Sequence, residues 1–213
     1  NDTTAPTGSR SVAFRLFDGD GGASAPASTT ISIEASSPPL ALGLADLHDS
    51  ITLPEAAAQL GAILDENVAV TQGADLITTL TVSYVSGSGR PEDQLSIRHQ
   101  GAGAGQVGFN AGTGEISYEG TVIGTVNAAD TGADGDTLVV DFNGSATAQA
   151  VERVIENLRY QTTSDGPLAS RTIQVQLQDS AFATTSQNLV IDISPEDDGA
   201  QPLFGDEQVN TYE

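Results

Sequence analysis

The chain has 213 residues, with 29 acidic against seven basic, for a formal net charge of −22. So acidic a chain repels nucleic acid and anionic membranes. It has no Cys, so its core needs no disulfide, and no apolar run approaches the ~18 residues of a membrane span, so membrane insertion is not expected.

The elements read as β almost throughout. Val12, Phe14 and Leu16 alternate with Ser11, Ala13, Arg15 and Phe17, and Ile31 and Ile33 alternate with Thr30, Ser32 and Glu34. Period two marks strands with one covered face. Between these two strands lies Asp18-Gly19-Asp20-Gly21-Gly22. Its glycines let the backbone turn so that the Asp18 and Asp20 carboxylates converge on one divalent ion, or simply make an Asp-Gly hairpin turn. Ala35-Ser36-Ser37-Pro38-Pro39 then reads as a semi-rigid linker.

Beyond the linker, Asp46, Asp49 and the Pro54-Glu55 pair lead into a longer stretch of strands. Leu80 to Val85 alternates, and turns are expected at Ser86-Gly87-Ser88-Gly89, Gly112-Thr113-Gly114 and Asp134-Gly135. Asp130, Asp134 and Asp136 cluster near the last turn. They lack the EF-hand spacing and its terminal Glu, and read as a loop or a metal site. One segment breaks the period. Val151, Val154, Ile155 and Leu158 fall at i, i+3, i+4 and i+7, which predicts one short amphipathic helix at about 147–158 with Thr147 as N-cap. Strands come next at Leu158–Tyr160, Ile173–Leu177 and Leu189–Ile193, before the acidic run Ser194-Pro195-Glu196-Asp197-Asp198-Gly199. The expected fold is all-β, an antiparallel β-sandwich carrying that single helix.

The chain also repeats itself. Ser9-Arg10-Ser11-Val12-Ala13-Phe14-Arg15-Leu16-Phe17-Asp18 returns as Ser170-Arg171-Thr172-Ile173-Gln174-Val175-Gln176-Leu177-Gln178-Asp179, an offset of 161. Ile31 and Ile33 return as Ile191 and Ile193, an offset of 160, and Pro39-Leu40 as Pro202-Leu203, an offset of 163. Loop insertions account for such drift. A repeat in this phase reads as a slice of a tandem array: 1–36 the last strands of one repeat, 37–195 a complete repeat, and 196–213 a linker and the start of the next.

An ordered series of short motifs resembles a cadherin-like repeat of large bacterial surface and secreted adhesins of the type I-secreted kind. The series is Leu80–Ser83, Glu92–Arg98, Gly101–Gly108, Ile123–Thr125, Leu138–Asn143, the helix, Leu158–Tyr160 with Thr163–Asp165, and Arg171–Ile173. The match covers about 75 to 195. It implies end-to-end stacking with Ca²⁺ near the junctions. Phe17-Asp18-Gly19-Asp20-Gly21-Gly22 keeps the family's closing pattern, whereas Gln178-Asp179-Ser180-Ala181 keeps only Asp179 of it. By the same resemblance Glu55 would be a junction carboxylate, Asp46 and Asp49 would complete a site with Asp18 or Asp20, and Glu196, Asp197 and Asp198 would serve the next junction. Each of these acids also reads as plain solvated surface.

Catalysis has little support. The two His residues, His48 and His99, accompany no Ser elbow and no zinc motif. Gly101-Ala102-Gly103-Ala104-Gly105 opens no helix and reads as a loop rather than a phosphate cradle. The expectation is a non-enzymatic structural and adhesive segment, extracellular or on a cell surface. Its partners would be neighbouring repeats or identical subunits, with a surface receptor or glycan as a further partner. The competing expectations are a filament or surface-layer subunit joined by strand exchange, and a carbohydrate-binding module. The absence of Trp argues against the latter.

Overall fold

The computed structural model describes residues 8–33 and 41–196. The chain divides into two units, Asn1–Pro39 and Leu40–Glu213.

The first unit is an antiparallel hairpin of β1 (Gly8–Phe14) and β2 (Ala27–Ile33). Its register sets Arg10 against Ile31, Val12 against Thr29 and Phe14 against Ala27. The ribbon runs on past β1. The Ser24 N–H donates to the Leu16 carbonyl at 2.9 Å, and Phe17 bridges Ala23. Between Ser24 and Ala27, two residues, Ala25 and Pro26, stand opposite the single Arg15. Pro26 has no N–H to give a ladder, so the extra residue bulges out there. The described side chains of this unit are solvent-exposed.

The second unit is an all-β sandwich. It begins with β3 (Gly43–Ala45), β4 (Ser50–Pro54), helix α1 (Glu55–Leu60), β5 (Ala62–Ile63) and β6 (Ala69–Thr71). Next come β7 (Ile77–Tyr84), β8 (Asp93–Ile97), β9 (Val107–Phe109), β10 (Glu115–Tyr118), β11 (Thr121–Thr131) and β12 (Leu138–Phe142). Helix α2 (Ala148–Glu156), β13 (Leu158–Thr162), β14 (Ser170–Asp179) and β15 (Thr184–Ser194) complete it. One sheet has the order β4-β15-β14-β7-β12-β11-β10-β9; the facing strands are β5-β13-β8 and the pair β3-β6. One core joins them, with Leu80 and Val82 of β7 and Leu189 and Ile191 of β15 meeting Leu95 of β8, Leu158 of β13 and Leu44 of β3.

The period-two rows fall where the alternation puts them. In β14, Arg171, Ile173, Val175, Leu177 and Asp179 point inward and the residues between them do not. The helix lies where its periodicity puts it. Thr147 caps it by accepting the Ala150 N–H at 3.2 Å, and Val151, Val154, Ile155 and the adjoining Leu158 are buried. Its partner is β6, where the Val70 N–H donates to Glu152 Oε2 at 3.1 Å.

The first unit differs from expectation in that its alternating row Val12, Phe14 and Leu16 is uncovered, and two features of the second unit differ as well. A second helix, α1, comes directly after Pro54. Ala56, Ala57, Ala58 and Gln59 are strong helix formers, Glu55 suits the first turn, and Gly61 ends it at φ 88°. The sheet is also not wholly antiparallel, because β4 runs parallel to β15, with Ile51 beside Ile191 and Pro54 beside Ser194.

The two hairpins share a register. In the second, Arg171 faces Ile191, Ile173 faces Leu189 and Val175 faces Gln187, the counterparts of the pairs in the first. The second ladder runs unbroken from Gln178–Thr184 onward. The bulge at Ala25-Pro26 therefore accounts for the slip in offset from 161 to 160.

Candidate functional site

The parallel pairing of β4 with β15 builds the end of the second unit. Two adjacent strands running the same way deliver their C-terminal continuations to one place, so Glu55 and Glu196 meet across 141 residues of chain. The Glu196 N–H donates to Glu55 Oε2 at 3.0 Å, while Glu55 Oε1 accepts from Gln59 Nε2 at 3.3 Å. Gln59 is itself held: its Nε2 donates to the Ser164 carbonyl and its own carbonyl accepts from Gln161 Nε2 at 2.8 Å. Glu55 is only 3% exposed. Among the described residues no ion pair reaches it. A desolvated carboxylate without a cation is costly, and the exposed Glu196 opens an acidic run beside it. Asp197 and Asp198, the next two residues of that run, lie outside the described residues.

The aspartates of the two hairpin loops are engaged by backbone. Asp18 Oδ1 accepts the N–H of Asp20 at 3.3 Å and of Gly22 at 2.7 Å. Asp179 Oδ1 accepts those of Ala181 and Ala183, both at 2.9 Å. In each loop the Asp N–H also donates to the carbonyl four residues on, Gly22 in one and Ala183 in the other. The Asp18 carboxyl sits below the ordinary Asp value, first through its side-chain hydrogen bond with Asp20 and then through the Asp20 and Gly22 N–H groups. Each aspartate thus closes its own loop.

Asp46 and Asp49 are exposed in the lead-in of the second unit, Asp46 at φ 62°. Between them His48 turns to a buried partner: its Nδ1 lies 2.8 Å from Asp65 Oδ2, which also accepts the His48 N–H at 2.7 Å. Asp130 lies in β11, while Asp134, at φ 56°, and Asp136 lie in the turn before β12. Among the described residues no three His, Asp or Glu side chains gather as a metal cage.

Among the described residues the most deeply buried charges are ones that the sequence does not mark as site residues, although both fall within the series of short motifs. Arg171 and Asp93, both fully buried, form an ion pair through Arg171 Nε and Asp93 Oδ2, with a second bond from Nη2 to Oδ1 at 3.1 Å. The Tyr160 hydroxyl donates to the same Oδ1 at 2.6 Å, and the Arg90 N–H to Oδ2 at 2.9 Å. Burial, then the Asp93 carboxylate, pushes the Tyr160 phenol far up. For Arg171 burial works downward, but the Asp93 hydrogen bond together with the nearby Tyr160, Asp93 and Glu92 charges outweighs it, and the net shift is upward. The signal is present in the strand parity, because Arg171 stands in the same inward row as Ile173, Val175 and Leu177.

No protein-family model matches the chain, and no curated protein matches it. A crystal structure of domains 4 and 5 of the S-layer protein SbsC aligns over 86% of this chain at 8% identity, with a TM-score of 0.28. This chain spans 57% of the length of that one. A superposition so loose carries no weight for fold or function. No helix among the described residues is long and apolar enough to cross a membrane.

Proposed function

We propose that the chain is a structural segment of a tandem array of β-sandwich modules in an extracellular or cell-surface protein, with Ca²⁺ fixing the joints between modules. The observation that carries this reading is the doubled hairpin. β1–β2 and β14–β15 share sequence, register and the loop bonds of Asp18 and Asp179. A chain that carries one module's closing hairpin ahead of a whole module is periodic.

The cation part rests on Glu55, a buried carboxylate without a cation among the described residues, at the point where the chain leaves the module. Glu196, Asp197 and Asp198 would supply further oxygens there, since Ca²⁺ takes six to eight of them. Bringing those acids together without a cation costs Coulomb energy; bridging them removes that cost and fixes the angle of the joint. Partners would be neighbouring modules of the same kind.

Calcium is expected to raise the melting temperature by several degrees at saturating concentration, as binding to the native state alone requires, and EDTA to reverse it. Glu55→Gln keeps the side chain's shape and one acceptor oxygen for the Glu196 N–H, and loses its charge; it should abolish the calcium response. A melting curve and a small-angle scattering profile indifferent to both calcium and EDTA would remove the cation from this function.

A further inference from the structure

The first unit presents a face that its own two strands cannot cover. Arg10, Val12, Phe14 and Leu16 share one side of the ribbon, with Ile31 opposite Arg10; Phe14 is 60% and Leu16 78% exposed. An isolated two-stranded hairpin is marginal in water at best. In the second unit the matching positions are Arg171, Ile173, Val175, Leu177 and Ile191, and each is fully buried. There the hairpin sits in a slot, with β14 antiparallel to β7 on one edge and β15 parallel to β4 on the other. At the foot of the slot Asp93 meets Arg171.

That arginine selects the partner. An Arg in an inward apolar row is costly unless a carboxylate meets it. A lipid surface or a neutral apolar peptide would cover Phe14 and Leu16 and strand Arg10. We propose that the β1–β2 hairpin docks into a β-sandwich of this chain's own repeat type. That sandwich lacks its last hairpin and holds a buried carboxylate at the place Asp93 takes in the second unit. A strand like β7 pairs with the free edge of β1, and one like β4 runs parallel to the free edge of β2. The proposal rests on the array reading and adds to it the slot, the register and the charge of the partner.

The second unit is the test bed, because it already holds such a slot. In the full 213-residue chain, residues 170–193 are replaced by a copy of residues 9–33. A second graft carries Phe14→Val in the copied segment, which removes the extra volume against Val175. At least one graft should melt cooperatively. In that graft Arg10→Met in the copied segment should lower the melting temperature by about 10 °C, as Arg171→Met should in the parent. Asp93→Asn in the same graft should erase the difference. Failure of both grafts to melt cooperatively overturns the proposal, and so does a folded graft indifferent to Arg10→Met. The melts are run in EDTA as well as calcium. Loss of the calcium response therefore strikes the joint and leaves this result standing.

Discussion

The hairpins β1–β2 and β14–β15 are built alike and placed differently. Leu16 and Leu177 are the same residue at matching positions of the two hairpins, and one is 78% exposed while the other is fully buried. Arg10 and Arg171 are the same residue too, but only the second has Asp93 and Tyr160. The local bonds are common to both: the Asp carboxylate accepts two backbone N–H groups and the cross-strand register is shared. Hairpin geometry therefore arises from local sequence, because turn and strand residues make those bonds without help. Stability comes from the sheet and core around it, since burial of the apolar row is what removes it from water.

The sharpest way to break this comparison is at the arginines. Arg171→Met leaves Asp93 buried without its cation and should cost about 3–5 kcal/mol in a urea titration. Arg10→Met, at an exposed position, should stay within about 0.5 kcal/mol. Equal losses would mean that the first hairpin is covered in the whole chain. The leucines sharpen the same point with no charge involved. Leu177→Ala opens a cavity in the core and should cost about 2–5 kcal/mol, against less than about 0.5 kcal/mol for Leu16→Ala. A Leu16→Ala loss near that of Leu177→Ala would give the two faces one environment.

Elements whose code is periodic are legible in the sequence. The inward row of β14 and the i, i+3, i+4 stripe of α2 come from spacing alone, and the turns at Gly114 and Asp134-Gly135 from their turn-forming residue types. Helix α1 is not legible because six residues are too few to show a period; only the Ala56–Ala58 run hints at it. The candidate site is legible as residue types and not as partners. Glu55 stands out by its place after Pro54. Its contact with the Glu196 N–H depends on the parallel pairing of β4 with β15, which no local pattern encodes. Asp18 and Asp179 stand out as carboxylates, but closing each loop takes up an oxygen, which short-range chemistry does without metal. The Asp93–Arg171–Tyr160 network is hidden for the opposite reason: its members are scattered along the chain and join only through the sheet.

The smallest expected effect lies at the loop tips. Gly21 takes φ 104° in the first loop, and the residue in its place in the second is Phe182 at φ 64°. The left-handed region costs an L-residue with a Cβ roughly 1–2 kcal/mol and costs Gly nothing steric. Phe182 is 81% exposed, so its ring recovers little of that by burial. Against this, Gly loses more backbone freedom on folding, by about 0.5–1 kcal/mol. Strain should narrowly win, so Phe182→Gly is expected to stabilise the chain by about 0.5–1 kcal/mol in the same titration. A loss of stability would instead mean that the Phe182 ring is covered in solution. The tip of the buried hairpin would then be a contact surface, and the two hairpins would differ at their loops as well as at their faces.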